Sequence, residues 1–190
     1  MLASTTMSVS SGPISVKEAP LIETERLILR PHTLADFEPL AAMWAHPEVY
    51  RHIGGVPSTA QASWFRLMRY LGHWPLLGFG YWAVKEKSTG MFAGEIGYAD
   101  FKREIEPSIG GVPELGWVLA PPAHGKGFAT EALRAAVAWG DGHLKEHRTV
   151  CIIAAQNLAS IRVAEKTGFL QYARTTFMGE PTIMYERFRA

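Results

Sequence analysis

Hydrophobic and polar positions along the chain change their period several times, and each change marks an element. Residues 26–30 form a short run with Leu27, Ile28 and Leu29 at its centre. It ends at Pro31, as a first strand does where proline removes a ladder donor. Thr33 and Asp36 stand at capping distance before Leu34, Phe37, Leu40, Ala41 and Trp44, which recur with helical spacing. Pro39 is tolerated only in the first turn, so this helix is expected to start near Asp36. Ser58 and Thr59 cap a second helix with Ala62, Phe65, Leu67, Met68 and Leu71, which Gly72 is expected to end.

From Gly80 the period drops to two. Residues 81–84 and 92–101, separated by the polar stretch 85–90, predict an antiparallel hairpin. Residues 114–119 predict another strand, followed by Pro121, Pro122, a glycine-bearing loop and a helix from about Thr130. Leu133, Val137, Gly140 and Leu144 give that helix one apolar stripe, which must pack on a sheet. Residues 150–155 are a β-branched run, 158–167 a helix closed by Gly168, and 169–177 and 182–188 two last strands. The order is β, α, α, β, β, β, α, β, α, β, β.

Composition narrows the classes. The chain has 190 residues with 19 Lys plus Arg against 18 Asp plus Glu, a balance that speaks against a nucleic-acid binder. With 47% hydrophobic and 19% charged residues it is expected to be one globular domain over residues 21–190. Residues 1–20, rich in Ser and Thr, read as a flexible tail and lack the features of a secretory signal. Apolar stretches such as residues 74–84 are broken by Pro75, Gly78 and Gly80 and fall short of the roughly 20 residues that span a bilayer. No membrane partner is expected. Cys151 stands alone, which excludes an intramolecular disulfide and suits a cytoplasmic location.

The junction after residues 114–119 carries the main chemical signal. Gly125, Lys126 and Gly127 lie between a strand and a helix, where glycine lets a ligand approach the backbone and helix-start amides attract anions. Gly127 follows Lys126, where a triphosphatase needs Ser or Thr for magnesium. Thr130 stands where the dinucleotide fingerprint needs its third glycine. A phosphate-bearing ligand of another kind is left, with a plain turn as the alternative.

The run from Glu114 through Gly116, Trp117, Val118, Leu119, Ala120, Pro121, Pro122, Ala123, His124, Gly125, Lys126, Gly127, Phe128, Ala129 and Thr130 is followed, about thirty residues on, by Asn157, Leu158, Ala159, Ser160, Ile161, Arg162 and so to Gly168 and Phe169. Together these resemble the paired motifs of the GNAT superfamily of N-acetyltransferases, RimJ/RimL-like type, over residues 21–188. Pro122 departs from the Gln or Arg frequent at its position.

The resemblance implies an α/β fold with a mixed, mostly antiparallel twisted sheet, helices on both faces and splayed central strands. It implies acetyl-CoA as co-substrate, no metal, and direct transfer to an amine acceptor, a protein N-terminus or a small molecule, by a monomer or homodimer. Cofactor contacts would come from Val118, Leu119, Ala120, His124, Gly125, Lys126, Gly127, Phe128, Ala129, Thr130, Asn157 and Ser160, with the Leu119 N–H polarising the thioester carbonyl. Glu114 is the candidate base or a solvated strand-end residue; Ser160 is the candidate proton donor or a cap. Asn157 can both cap the helix and bind the pantetheine arm. Tyr98, Trp74 and Tyr81 are the candidate walls of the acceptor site, although aromatic side chains usually pack inside. A noncatalytic acetyl-CoA-binding module is the alternative function.

Two patterns read as decoys. His143, Glu146 and His147 spell an inverted zinc-protease motif at a polar helix end, without a third ligand in sight. Cys151, between Val150 and Ile152, reads as a buried small hydrophobe.

Overall fold

The computed structural model describes residues 18–189. The tail expected over residues 1–20 lies outside that range except for its last three residues.

β1 (Ile22–Glu23) and β2 (Leu27–Arg30) form a first hairpin. α1 (Phe37–Trp44) follows a single 3-10 turn in which Asp36 and Thr33 make the capping box read from the sequence, and Pro39 falls in the first turn of α1. α2 (Pro47–Tyr50) is a short helix that periodicity did not announce. α3 (Ala60–Leu77) starts where expected, with the Thr59 hydroxyl accepting from the Ala62 N–H, but it does not end at Gly72. It runs on through Pro75 to Gly78, whose left-handed φ of 78° closes it. Tertiary packing overrides the two breakers: Trp74, in that last turn, is buried and donates its indole N–H to the Tyr81 carbonyl.

β3 (Tyr81–Glu86), β4 (Phe92–Ala99) and β5 (Glu114–Leu119) form an antiparallel meander. α4 (Phe128–His143) begins two residues before the expected start, β6 (Arg148–Ala154) is parallel to β5, and α5 (Leu158–Lys166) leads to the hairpin of β7 (Leu170–Phe177) and β8 (Glu180–Phe188). The eight strands form one mixed sheet in the order β1-β2-β3-β4-β5-β6-β8-β7. This is the mixed, mostly antiparallel sheet, with helices on both faces, that the paired motifs imply.

Strand alternation divides the core. Trp82, Ile96, Tyr98, Leu115, Leu119, Cys151 and Ile153 face the side covered by the Leu133, Val137, Gly140 and Leu144 stripe of α4 and by α5. Tyr81 and Ala99 face the other side, against Leu40, Met43 and Trp44 of α1 and Leu67 and Tyr70 of α3. Farther along that second face, Val150 and Met184 are covered by Ile105 and Ile109 from the loop between β4 and β5. No helix among the described residues is long and apolar enough to cross a membrane.

Candidate functional site

β5 and β6 meet at one register position, Glu114 against Val150, anchored by the Val150 N–H donating to the Pro113 carbonyl at 3.1 Å. Beyond that point they diverge, although β5 stays fully paired with β4 from Gly94–Leu119 to Ala99–Glu114. Antiparallel pairing sends alternate residues' N–H and C=O groups toward opposite neighbours. Ala120 donates to the Ala93 carbonyl at 2.9 Å, so Ala120, Val118 and Gly116 turn toward β4, while Trp117 and Leu119 turn toward the gap. Of the expected trio, then, only Leu119 presents its backbone to the opening; Trp117 joins it. The Leu119 carbonyl is already engaged by His124 Nε2 at 2.8 Å.

The gap leads to the loop before α4. Gly125 and Gly127 hold φ of 72° and 79°, a region closed to most side chains, and Gly127 is the N-cap of α4 with no side chain accepting from its first turn. The amides of Phe128, Ala129 and Thr130 thus form an uncapped helix start, behind exposed His124, Gly125, Lys126 and Gly127. Phe128 anchors that start, its ring buried in the core. Arg26, which sequence reading treated as part of a strand, fixes the loop: it donates to the Lys126 carbonyl at 2.9 Å and pairs with Glu131. Lys126 itself lies 3.5 Å from Glu86. On the other side of the gap, Asn157 Oδ1 accepts from the Ser160 N–H at 3.1 Å, the capping role read as one of its two options. The Ser160 side chain is half-buried at the start of α5.

The other expected residues sit elsewhere. Glu114 is buried and held in a two-point pair by Arg103 at 2.6 and 2.8 Å, with the Arg103 guanidinium between the rings of Phe101 and Phe177. Both Glu114 carboxylate oxygens are thus taken up by the Arg103 guanidinium in charge-assisted hydrogen bonds. Tyr98 lies under α4, its hydroxyl donating to the Ala136 carbonyl, and Trp74 packs against Trp82 and Trp139; both belong to the core and not to a cleft wall. Tyr81 is buried too, stacked on Tyr70 at 4.2 Å, but its hydroxyl rests against Gly116 of β5, where an added Cβ would stand 2.1 Å away.

Sequence reading missed Glu95. On β4 it stands opposite Val118 and is fully buried, accepting from Trp44 Nε1 at 2.9 Å and from the Tyr70 hydroxyl at 2.6 Å through one oxygen. Its other oxygen has no partner among the described residues. Burial pushes its pKa up to about 7, against the pull of Tyr70, Arg66, Trp44 and Arg69. Only its place as a charged residue in an otherwise apolar strand could have signalled it. The result is a carboxyl that can take or release a proton near neutral pH, one strand away from the gap.

The same face holds an opposing titration. His32 is buried against Tyr70 with neither ring nitrogen partnered among the described residues, and burial pushes its pKa down to about 4, with Asp36 raising it and Arg30 lowering it. Acidification from pH 7 to 5 adds a proton to His32 only in the unfolded chain, which lowers stability, but to Glu95 mainly in the native protein, which raises it. Each effect amounts to about 2 kcal/mol. His73 and His52, whose pKa values burial also lowers, add to the loss that His32 causes. His32→Phe is therefore expected to shift the change in stability between pH 7 and 5 in the favourable direction relative to the wild type, by about 2 kcal/mol; urea midpoints of both proteins at the two pH values check this, and an unchanged difference would contradict the assignment.

The decoys resolve as structure. His143 Nδ1 contacts the Trp139 carbonyl at 2.7 Å and its ring stacks on Trp139, His147 lies beside Arg189, and no group of three His, Cys, Asp or Glu among the described residues is placed to hold a metal. Cys151 is buried, and burial raises its thiol pKa well above the ordinary range.

With the split sheet and its loop in view, comparison with known proteins gives the class. The acetyltransferase (GNAT) domain profile matches residues 26–170, and the chain belongs to that family. It is an acetyl-CoA-dependent acetyltransferase by class. A putative GNAT-family acetyltransferase from Bordetella pertussis is 31% identical, with 89% of this chain and 99% of that one covered and a TM-score of 0.79. The uncharacterized protein YkkB of Bacillus subtilis (strain 168) is 35% identical over 111 residues, 58% of this chain and 62% of YkkB, so the chain spans under two thirds of that relative. At the level of fold alone, the ribosomal-protein-S5-alanine acetyltransferase of Vibrio fischeri superposes with a TM-score of 0.69 at 17% identity, covering 90% of this chain and 97% of that one.

Proposed function

We propose that this protein transfers the acetyl group of acetyl-CoA directly to a primary amine in a ternary complex, and that the acceptor is a protein N-terminal α-amine, as in the RimJ/RimL type. The carrying observation is the gap between β5 and β6, which leaves the Trp117 and Leu119 backbones facing away from β4 and leads to the uncapped start of α4. The residues present fit the cofactor. The amides of Gly127, Phe128, Ala129 and Thr130 would hold the pyrophosphate, with Lys126 adding charge, and the backbones of Trp117 and Leu119 would pair with the pantetheine arm opposite Asn157.

Bound acetyl-CoA supplies an activated acetyl carbonyl and a thiolate leaving group. The Leu119 N–H donates to the oxygen on which charge develops. An α-amine has a pKa near 8 and must lose a proton to react, and we assign its acceptance to Glu95 in place of Glu114. The ammonium gives one proton to Glu95 and becomes the nucleophile; the new C–N bond forms as the C–S bond breaks, the second proton leaves the nitrogen to solvent, and the Ser160 hydroxyl gives the sulfur a proton that solvent restores. The free, buried Cys151 and the co-substrate support a cytoplasmic setting, with the protein acting as a monomer or homodimer.

Thermal unfolding with saturating acetyl-CoA, beside ATP and NAD, tests the cofactor. At 100 times its dissociation constant a ligand stabilises by about 2.7 kcal/mol, so a rise with acetyl-CoA alone is the expected result and its absence overturns the reading. A rise without release of free CoA in the presence of amines would instead make the protein a noncatalytic acetyl-CoA-binding module.

A further inference from the structure

The transfer reading leaves the acceptor's own charge open, and the face carrying Glu95 speaks to it. Arg66 and Arg69 lie one helical step apart on α3. The Arg66 guanidinium sits 3.6 Å over the Trp44 ring, whose indole N–H is the donor to Glu95, and it also donates to Ser58 Oγ at 3.2 Å. Arg69 sits 5.1 Å over the Phe101 ring, which Arg103 approaches to 4.8 Å. Arg66 is thus separated from Glu95 by a single aromatic ring, and the ring beside Arg69 lies 6.2 Å from Tyr81, whose hydroxyl meets Gly116 of β5.

What distinguishes these two among the arginines that lie over aromatic rings is the company they lack. Arg26, Arg103 and Arg148 lie over rings and each also holds a carboxylate. Among the described residues, Arg66 and Arg69 hold none within 4.0 Å. Two nearby carboxylates are engaged by other cations: Glu114 by Arg103 and Asp100 by Lys102. An arginine held against a ring without a carboxylate still has N–H donors to offer, and a guanidinium can meet a carboxylate in two-point fashion.

We propose that Arg66 and Arg69 select an acceptor whose amine is accompanied by a carboxylate a residue or so away, namely an acidic peptide N-terminus, and reject polycationic amines. This rests on the acetyl-transfer reading. A carboxylate beside the amine pairs with the two unmatched guanidiniums and brings the amine to the Glu95 side of the gap. A polyamine or aminoglycoside carries further positive charges onto a face that already has two in excess, and like charges repel it.

The test is CoA release from amidated hexapeptides that differ only at position two, with Glu, Gln or Lys, and from free glutamate and spermidine, at low and high salt. The Glu peptide is expected to exceed the Gln peptide in kcat/KM by about tenfold and the Lys peptide by more, with the margin shrinking in salt. Free glutamate turned over as well as the Glu peptide would move the acceptor from peptide to amino acid and overturn the peptide assignment. The Arg66→Gln/Arg69→Gln variant should level the three peptides while keeping its acetyl-CoA thermal shift, and Arg66→Lys/Arg69→Lys should retain the order. Should the double glutamine variant fail to fold, Arg69→Gln alone, at an exposed position, should still narrow the margin. Equal rates for Glu and Gln peptides in the wild type, or spermidine as the best acceptor, would overturn the proposal. Acetyl-CoA bound with no acceptor modified would instead overturn the transfer reading beneath it.

Discussion

Replacing Glu95 by glutamine is expected to lower kcat by roughly 10²- to 10⁴-fold, the range that a positioned general base contributes. Glutamine keeps the shape and still accepts from the Trp44 indole and the Tyr70 hydroxyl, so the fold and the acetyl-CoA thermal shift should survive. The pH dependence separates a base from a spacer. In the wild type, kcat should rise through about pH 7, where Glu95 gives up its proton, and this limb should be missing from Glu95→Gln. An unchanged pH profile in the variant would return the base to another group. The amide has no titration of its own, so the stability it leaves behind should fall with acid, as His32 then acts unopposed.

Gly127→Glu should reduce acetyl-CoA affinity by more than about 100-fold. Two effects combine. A side chain at φ of 79° strains the turn that aims the first amides of α4, and a carboxylate placed there repels a pyrophosphate. The new group would also stand near Arg26, whose Nη2 lies 3.5 Å from the position of the added Cβ, and would compete for it with Glu131. Gly127→Ala isolates the strain, about 1 kcal/mol, from the charge. Calorimetric titration with acetyl-CoA reads both variants; undiminished affinity in Gly127→Glu would remove the loop from the cofactor site.

Much of this architecture was legible because local patterns agreed with the tertiary structure. The stripe on α4, the Thr33–Asp36 box and residues 114–119 stand where their spacing put them. α3 departs because a buried tryptophan outweighs a glycine and a proline, which no local rule could weigh. The cofactor loop announced itself through Gly125, Lys126 and Gly127, since glycine at a strand-to-helix turn has a backbone reason to be there. The acceptor side did not. Tyr98 is an aromatic residue on the right strand, but which face a strand residue occupies depends on register with its neighbours, and register places it under α4, while Trp74, in the last turn of α3, packs inward on Trp82 and Trp139. Glu114 looked like a base because its motif position was visible and Arg103, eleven residues earlier, was not visibly its partner. Glu95 gained its character wholly from burial, with Trp44 and Tyr70 converging on it from two helices.

The break between β5 and β6 also concerns how long the protein survives. Beyond the Glu114–Val150 contact, the hydrogen-bonded ladder is interrupted between a five-strand half and a three-strand half, which α4 and α5 bridge from one face. A ligand lying in that opening closes the ladder, so the free chain is the one more prone to come apart and to reach a protease. Its abundance in a cell would then follow the supply of its own co-substrate.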